Sequence, residues 1–258
     1  TASAATNLTA TLGAAASSAG LDTITLTDAG AANTVTIGSG FASALAITLA
    51  SDDTAGDTIT ATNYTKALTV SATDENLDSN PSTITGGTGS DTLAITITAT
   101  NTILTSGVTN VETITLTGDD GAADVATITT ADGLVADGAS LTINGSGLDQ
   151  DSNDAVLTFN GSAEADGTFT ITTAGAGGHT ITLGQGNDTY TGSGSGNTTV
   201  TATGGNNTIT TGTGADTITA GSGTDTITGG TGADIFAFGS AANAQNDSVT
   251  DFTSADDQ

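Results

Sequence analysis

The chain has 258 residues, of which 28 are Asp or Glu and only one, Lys66, is Lys or Arg, so its formal net charge is −27 at pH 7. A single cation cannot neutralise the phosphates of a nucleic acid or hold the chain to an anionic membrane surface, which excludes both partners. No apolar run approaches the roughly 18 residues of a membrane-spanning helix, so membrane insertion is excluded too. The absence of Cys excludes disulfides and thiolate metal sites, and a single His excludes zinc sites built from several His.

The residue types predict an all-β protein. The chain contains 59 Thr and 36 Gly, and 25 of its acids are Asp, whereas only three are Glu. Asp, Thr and Gly are mediocre to poor helix formers, while Thr with Ile and Val favours strands. Aromatic residues make up 3% of the chain, which favours a thin, repetitive core built from Ala, Ile, Leu and Val.

The first two thirds of the chain alternate apolar residues with Thr, which is the pattern of half-buried strands. Strands are predicted at residues 21–27, 33–37, 45–49, 57–62, 66–71, 91–98, 111–117, 124–129, 140–144, 155–160 and 168–173. Charged residues and Pro81 interrupt the pattern near 73–90. The segment 86–94 reads GGTGSDTLA and places Gly87, Gly89 and Asp91 at spacings that recur later in the chain.

Residues 211–237 divide into three units of nine, TGTGADTIT, AGSGTDTIT and GGTGADIFA. Each unit has Gly at its second and fourth positions, Asp at its sixth and a large apolar residue at its eighth. The glycines are Gly212, Gly214, Gly221, Gly223, Gly230 and Gly232, and the acids are Asp216, Asp225 and Asp234. Such a unit predicts a tight loop followed by a short strand.

Four less regular units extend the repeat upstream to residue 174. Their sixth positions hold His179, Asp188, Thr198 and Asn207. Two units make one coil of about 18 residues, and successive coils stack about 4.8 Å apart as parallel strands. Loops two units apart then lie above one another, which places Asp216 beside Asp234, Asn207 beside Asp225, and Asp188 below Asn207.

Carboxylate and backbone carbonyl oxygens in stacked loops form a set of hard ligands that suits Ca²⁺ better than Zn²⁺ or Mg²⁺. The predicted ligands are therefore the sixth-position residues Asp188, Asn207, Asp216, Asp225 and Asp234, together with the loop glycines and the isolated Asp91. At Thr198 and His179 we expect a weak or missing ion.

The stretch 183–237 resembles the RTX (hemolysin-type calcium-binding) nonapeptide repeat, G-G-x-G-x-D-x-U-x, and residues 233–256 resemble the segment that follows such repeats. The resemblance implies Ca²⁺ bound by the Asp side chains and glycine-loop carbonyls of a parallel β-roll, and type I secretion from a bacterium. The Thr-rich upstream strands, with Gly107–Thr113, resemble the β regions of RTX-type bacterial S-layer proteins. The expected fold is an all-β chain in which a C-terminal parallel β-roll follows an irregular β-solenoid or β-sandwich.

Four segments are expected: a Thr/Ala-rich β region at 1–80, a solenoid-like region with the isolated repeat copy at 81–173, the calcium-binding roll at 174–238 and the start of the following segment at 239–258. The expected function is structural and not enzymatic: a secreted, calcium-ordered component of an S-layer or other self-assembling lattice or filament at the bacterial cell surface. The alternatives are an RTX adhesin that binds a host or neighbouring cell, and the carrier region of a secreted enzyme.

Overall fold

The computed structural model describes residues 7–27, 30–51, 55–78, 80–98, 100–119, 124–148, 154–239 and 246–258. Within these ranges, helix is limited to α1 (Ala14–Ser18) and a 3-10 helix (Asp74–Leu77). The strands are β1 (Thr9–Leu12), β2 (Thr23–Thr25), β3 (Thr34–Ile37), β4 (Leu45–Thr48), β5 (Thr58–Thr60), β6 (Leu68–Thr73), β7 (Thr83–Thr85), β8 (Thr92–Ile97), β9 (Thr100–Leu104), β10 (Val108–Thr109), β11 (Thr113–Gly118), β12 (Val125–Thr129), β13 (Ser140–Gly147), β14 (Val156–Asn160), β15 (Thr168–Thr173), β16 (Thr180–Thr182), β17 (Thr189–Gly192), β18 (Thr199–Thr201), β19 (Thr208–Thr210), β20 (Thr217–Ala220), β21 (Thr226–Thr228), β22 (Ile235–Phe238) and β23 (Ser248–Val249). The all-β prediction is confirmed.

The strands form three sheets in which neighbouring strands run parallel. An eleven-stranded sheet has the order β2-β4-β6-β8-β11-β13-β15-β17-β19-β21-β23. The other strands form a five-stranded sheet, β1-β3-β5-β7-β10, and a seven-stranded sheet, β22-β20-β18-β16-β14-β12-β9. Because the chain returns to the long sheet after each visit to a shorter one, it winds as a parallel solenoid, and the solenoid rather than the sandwich describes the region before the roll.

The core is a stack of apolar residues held in register through the long sheet. Its members are Ile24, Ile47, Val70, Leu93, Ile114, Ile143, Ile171, Tyr190, Ile209, Ile227 and Val249, each the Cα partner of the next. The residues on either side of them, mostly Thr, face outward, as the alternation predicted. Full burial of one such Ile or Leu stabilises the fold by about 1.5–3 kcal/mol.

The coils of the repeat region are shorter than those that precede it. Paired residues of successive strands are 23 positions apart at Ile47 and Val70 but 18 apart at Ile209 and Ile227. The longer coils enclose large side chains such as Phe41 and Tyr64, whose rings pack edge to face with centroids 6.0 Å apart. The short coils of the repeat region enclose little more than one apolar residue per strand.

The eleven-stranded sheet passes through the segments 1–80, 81–173 and 174–238 and ends on β23, within 239–258. The change from the five-stranded to the seven-stranded sheet falls between β8 and β11, where the coil contains both β9 and β10. The 3-10 helix Asp74–Leu77 lies in the interruption expected near 73–90. The division into four segments stays a prediction.

Candidate calcium-binding site

The loops that lead into the eleven-stranded sheet form one edge of the repeat region, here called edge A (residues 183–188, 202–207 and 221–225). The backbone N–H of Asp188 donates to Asn207 Oδ1 at 2.9 Å, and the N–H of Asn207 donates to Asp225 Oδ1 at 2.8 Å. The N–H of Asp225 donates to Asp247 Oδ1 at 2.8 Å. Because β17, β19, β21 and β23 pair in register, these side chains form a continuous column.

The loops that lead into the seven-stranded sheet form the opposite edge, edge B (residues 193–198, 211–216 and 229–234). Here the N–H of Thr198 donates to Asp216 Oδ1 at 2.7 Å, and the N–H of Asp216 donates to Asp234 Oδ1 at 2.9 Å. The N–H of Asp234 donates to Asp257 Oδ1 at 3.1 Å. The structure thus brings together Asp216 with Asp234 and Asn207 with Asp225, the neighbours that the repeat spacing predicted.

Several of these carboxylates have a second oxygen that is buried without a hydrogen-bond partner. This is the case for Oδ2 of Asp216, Asp225 and Asp247. An unpaired buried carboxylate is strongly unfavourable, and burial accordingly raises the pKa of Asp225 and Asp234. Oxygens in this situation fit a hard cation, which would satisfy them and remove the repulsion between stacked acids.

The loop glycines allow the coils to stack closely. A Cβ built on each would lie within 3 Å of a carbonyl oxygen in the preceding coil: 2.0 Å at Gly212, 2.5 Å at Gly214, 2.8 Å at Gly221, 2.0 Å at Gly223, 1.9 Å at Gly230 and 2.0 Å at Gly232. Gly232 also has a φ of 140°, which strains other residues. Only glycine therefore lets carbonyl oxygens come so close to the next loop, where they lie beside the column of carboxylates.

Asp188 and Asp91 differ from the strict repeats because both of their carboxylate oxygens accept hydrogen bonds. Asp188 accepts from the N–H groups of Phe169, at 2.7 Å, and Gly184, at 3.0 Å. Asp91 accepts from Leu68, at 2.8 Å, and Gly87, at 2.5 Å. Burial still outweighs these bonds at Asp188 and raises its pKa to about 6. A role for either residue as a calcium ligand stays a prediction.

His179 and Thr198 occupy sixth positions in the stacked coils but have no carboxylate that could bind a cation. His179 is buried and its Nδ1 accepts a hydrogen bond from the N–H of Leu157 at 3.0 Å. Thr198 is buried as well. The weak or missing ion expected at these positions remains a prediction.

Asp247 and Asp257 continue the two columns beyond the repeats, although the repeat spacing predicted neither. Asp247 lies 22 residues after Asp225, and Asp257 lies 23 after Asp234, instead of 18. Asp251 adds to this end of the solenoid, since its carboxylate accepts from the N–H groups of Gly229 and Gly230. The available signal was the Asp-rich composition of residues 247–257 itself.

The geometry defines a parallel β-solenoid whose acidic glycine loops form two columns of carboxylate and carbonyl oxygens. Residues 201–236 match the family model of the RTX calcium-binding nonapeptide repeat, four copies. The chain therefore carries RTX repeats, as the resemblance predicted, and the match supports calcium binding. No curated protein and no solved structure matched the chain. None of the helices in the described part of the chain is long and apolar enough to cross a membrane.

Proposed function

We propose that this chain is a secreted structural component of a bacterial S-layer or a similar self-assembling extracellular layer, without enzymatic activity, and that Ca²⁺ orders its fold. The observation that carries the proposal is the set of buried carboxylate oxygens without partners at Asp216, Asp225 and Asp247, within and beside the RTX repeats. They make the folded repeat region dependent on a cation.

Charge supplies the mechanism. Stacked acids in a chain of net charge −27 repel one another, and one apolar residue per short strand offsets little of the entropy lost on folding. Cation binding and folding are then coupled. Extracellular calcium modules typically bind with dissociation constants of about 10⁻⁴ to 10⁻³ M. Such sites would be empty in the cytosol and filled outside the cell, so the chain would fold after export.

One surface feature supports assembly with other copies. The large apolar side chains that are exposed in the described residues, Ile235 at 45% and Phe252 at 51%, both lie at the C-terminal end of the solenoid. An exposed apolar end favours contact with another molecule.

Calcium titration after chelation tests the proposal, with circular dichroism to follow β structure and size-exclusion chromatography to follow compaction and assembly. We expect chelated protein to expand and lose β signal, and both to recover at Ca²⁺ concentrations near 10⁻⁴ to 10⁻³ M. A β signal indifferent to chelator would contradict calcium-ordered folding. Protein that folds with Ca²⁺ but stays monomeric at high concentration, with no lattice or filament in electron micrographs, would contradict the layer role.

A further inference from the structure

A group of three acids lies outside the nonapeptide repeats, on the two solenoid coils that precede them. Asp132, Glu164 and Asp166 each offer one carboxylate oxygen, and these three oxygens lie within 4.8 Å of one another. Asp132 follows β12, and the other two follow β14. Because β12 pairs with β14, the two loops belong to successive coils and stack at one edge of the solenoid.

The buried member of the group is Glu164, whose exposed fraction is 0%. Its Oε1 accepts hydrogen bonds from the backbone N–H groups of Gly167, at 3.0 Å, and Asp166, at 3.4 Å. Its Oε2 is buried and has no hydrogen-bond partner. Asp132 and Asp166 are exposed, so solvent reaches one side of the group.

The electrostatics of the Asp132–Glu164–Asp166 group favour a bound cation. Three carboxylates so close together repel one another, and an orphaned buried carboxylate oxygen is costly to keep charged. The pKa of Asp166 is raised by desolvation and by the nearby acids Asp137, Asp132 and Glu164. Protein cations are scarce, because Lys66 is the only Lys or Arg in the sequence.

We propose that Asp132, Glu164 and Asp166 bind a divalent cation, Ca²⁺, at a site separate from the RTX repeats. A set of ligands made only of carboxylate oxygens favours a hard cation. The open side of the group leaves room for water molecules to complete the coordination shell. The site joins two stacked loops, as the repeats do, but it uses a Glu-x-Asp pair on one loop and an Asp on the loop before it.

This site lies directly before the first RTX loop of edge A. The N–H of Gln185 donates to the backbone oxygen of Glu164 at 3.0 Å, so the loop 183–188 rests on the loop that carries Glu164. A Cβ built on Gly186 would lie 2.0 Å from the oxygen of Gly167, which marks the same close stacking. A cation here extends the column of ions by one coil towards the N-terminal end.

The test compares Glu164→Gln with Glu75→Gln, which removes the same charge from an exposed side chain on the 3-10 helix. Native mass spectrometry in Ca²⁺ counts the ions. We expect Glu164→Gln to bind one Ca²⁺ fewer than the wild type and Glu75→Gln to bind the full number. An unchanged count in Glu164→Gln would overturn the proposal.

A second measurement separates ligation from a merely structural role. In chelator, Glu164→Gln relieves repulsion, so its thermal midpoint should equal or exceed that of the wild type. In Ca²⁺ the same variant should gain less stability than the wild type. A loss of equal size in both conditions would overturn the proposal, because it would identify Glu164 as a packing residue only.

A third measurement does not depend on the folding of the Glu164 variant. Asp132→Asn changes an exposed side chain on the other loop and should also lower the ion count by one. A crystal structure in Ca²⁺ should have an anomalous peak between the three carboxylates. Absence of that peak, with the RTX loops filled, would overturn the site while leaving the proposed function standing.

Discussion

At the sixth-position acids Asp216 and Asp225, the two carboxylate oxygens are in different situations. Oδ1 of Asp216 accepts the N–H of Thr198 in the preceding coil, whereas its Oδ2 is buried without a partner. Asn207 occupies an equivalent position and also accepts through Oδ1, but its Nδ2 donates to the oxygen of Gly204 at 3.0 Å. Asn thus preserves the stacking and lacks the charged oxygen.

The comparison with Asn207 predicts the effect of Asp216→Asn combined with Asp234→Asn. The double variant should keep the hydrogen bonds between coils but lose two charged ligands on edge B. The Ca²⁺ midpoint of folding, followed by circular dichroism, should rise at least about tenfold, equivalent to 1.4 kcal/mol. Asp22→Asn with Glu75→Gln removes two exposed acids and should leave the midpoint near that of the wild type. Equal midpoints in the two double variants would contradict the ligand role.

The raised pKa of Asp188 predicts that the stability of the calcium-free repeat region depends on pH. The pKa of Asp188 in the calcium-free fold, about 6, lies above the ordinary value of 3.8, so the fold favours the protonated acid. That contribution to stability is complete below about pH 3.8 and is lost as the pH rises through about 6. In chelator, the folded fraction of the repeat region, followed by its circular-dichroism β signal, should therefore fall between pH 5 and pH 7.

Asp188→Asn is the matched variant for this measurement, because it removes the titrating proton and preserves the side-chain shape. Its stability in chelator should change less than that of the wild type between pH 5 and pH 7. In Ca²⁺ the wild type should behave in the opposite way, because protons compete with the ion and acidification below about pH 6 weakens binding. If the variant and the wild type had identical pH profiles, the pH dependence would come from other acids and not from Asp188.

Fixed spacing explains which site residues the sequence could predict. The columns through Asp216 and Asp234, and through Asn207 and Asp225, follow from units of nine residues and appear as predicted neighbours. Asp247 and Asp257 escaped prediction because additional residues shift them out of the period. Glu164 escaped as well, because its place in a column depends on the lengths of two irregular loops, which no local pattern encodes.

At the scale of elements, the alternation of Thr with apolar residues predicted the strands of the long sheet well. It missed β1, β7, β9, β10 and β23. Strands of two or three residues, such as β7 and β10, have too few positions to establish a period, and the coil that contains β9 and β10 departs from the two-strand plan. The exchange of one short sheet for another depends on pairing between distant residues, so local sequence does not determine it.

The close stacking of coils predicts that Gly212→Ala is destabilising. The added Cβ would lie 2.0 Å from the oxygen of Gly194, which forces the coils apart. Overpacking of this kind costs about 1–3 kcal/mol. The control is Gly40→Ala, where the nearest atom would lie at an ordinary 3.4 Å. Urea unfolding in saturating Ca²⁺ measures both, and equal stability of the two variants would contradict tight stacking at the repeat loops.

At the scale of the whole molecule, the acidic charge has two different roles. The acids in the columns and in the Asp132–Glu164–Asp166 group lie where a bound cation can offset them. Other acids, such as Asp22 and Glu75, face solvent and keep the folded protein strongly negative. The formal charge of −27 therefore overstates the net negative charge of the calcium-bound form. The repulsion between acids that calcium relieves lies mainly in the repeat region.

The unequal coils predict unequal dependence on calcium along one continuous sheet. β19 and β21 bury one side chain each, whereas β13 spans eight residues and buries two, Leu141 and Ile143. In chelator, hydrogen exchange measured by mass spectrometry should therefore be faster in β17–β22 than in β6–β13, because fewer buried contacts remain once the acids are unneutralised. Ca²⁺ should slow exchange mainly in the repeats, and Mg²⁺ much less, because it requires a smaller octahedral site. Uniform exchange along the sheet would contradict the view that the repeat region needs Ca²⁺ to fold while the preceding solenoid stays folded without it. Equal protection by Ca²⁺ and Mg²⁺ would contradict selectivity for Ca²⁺.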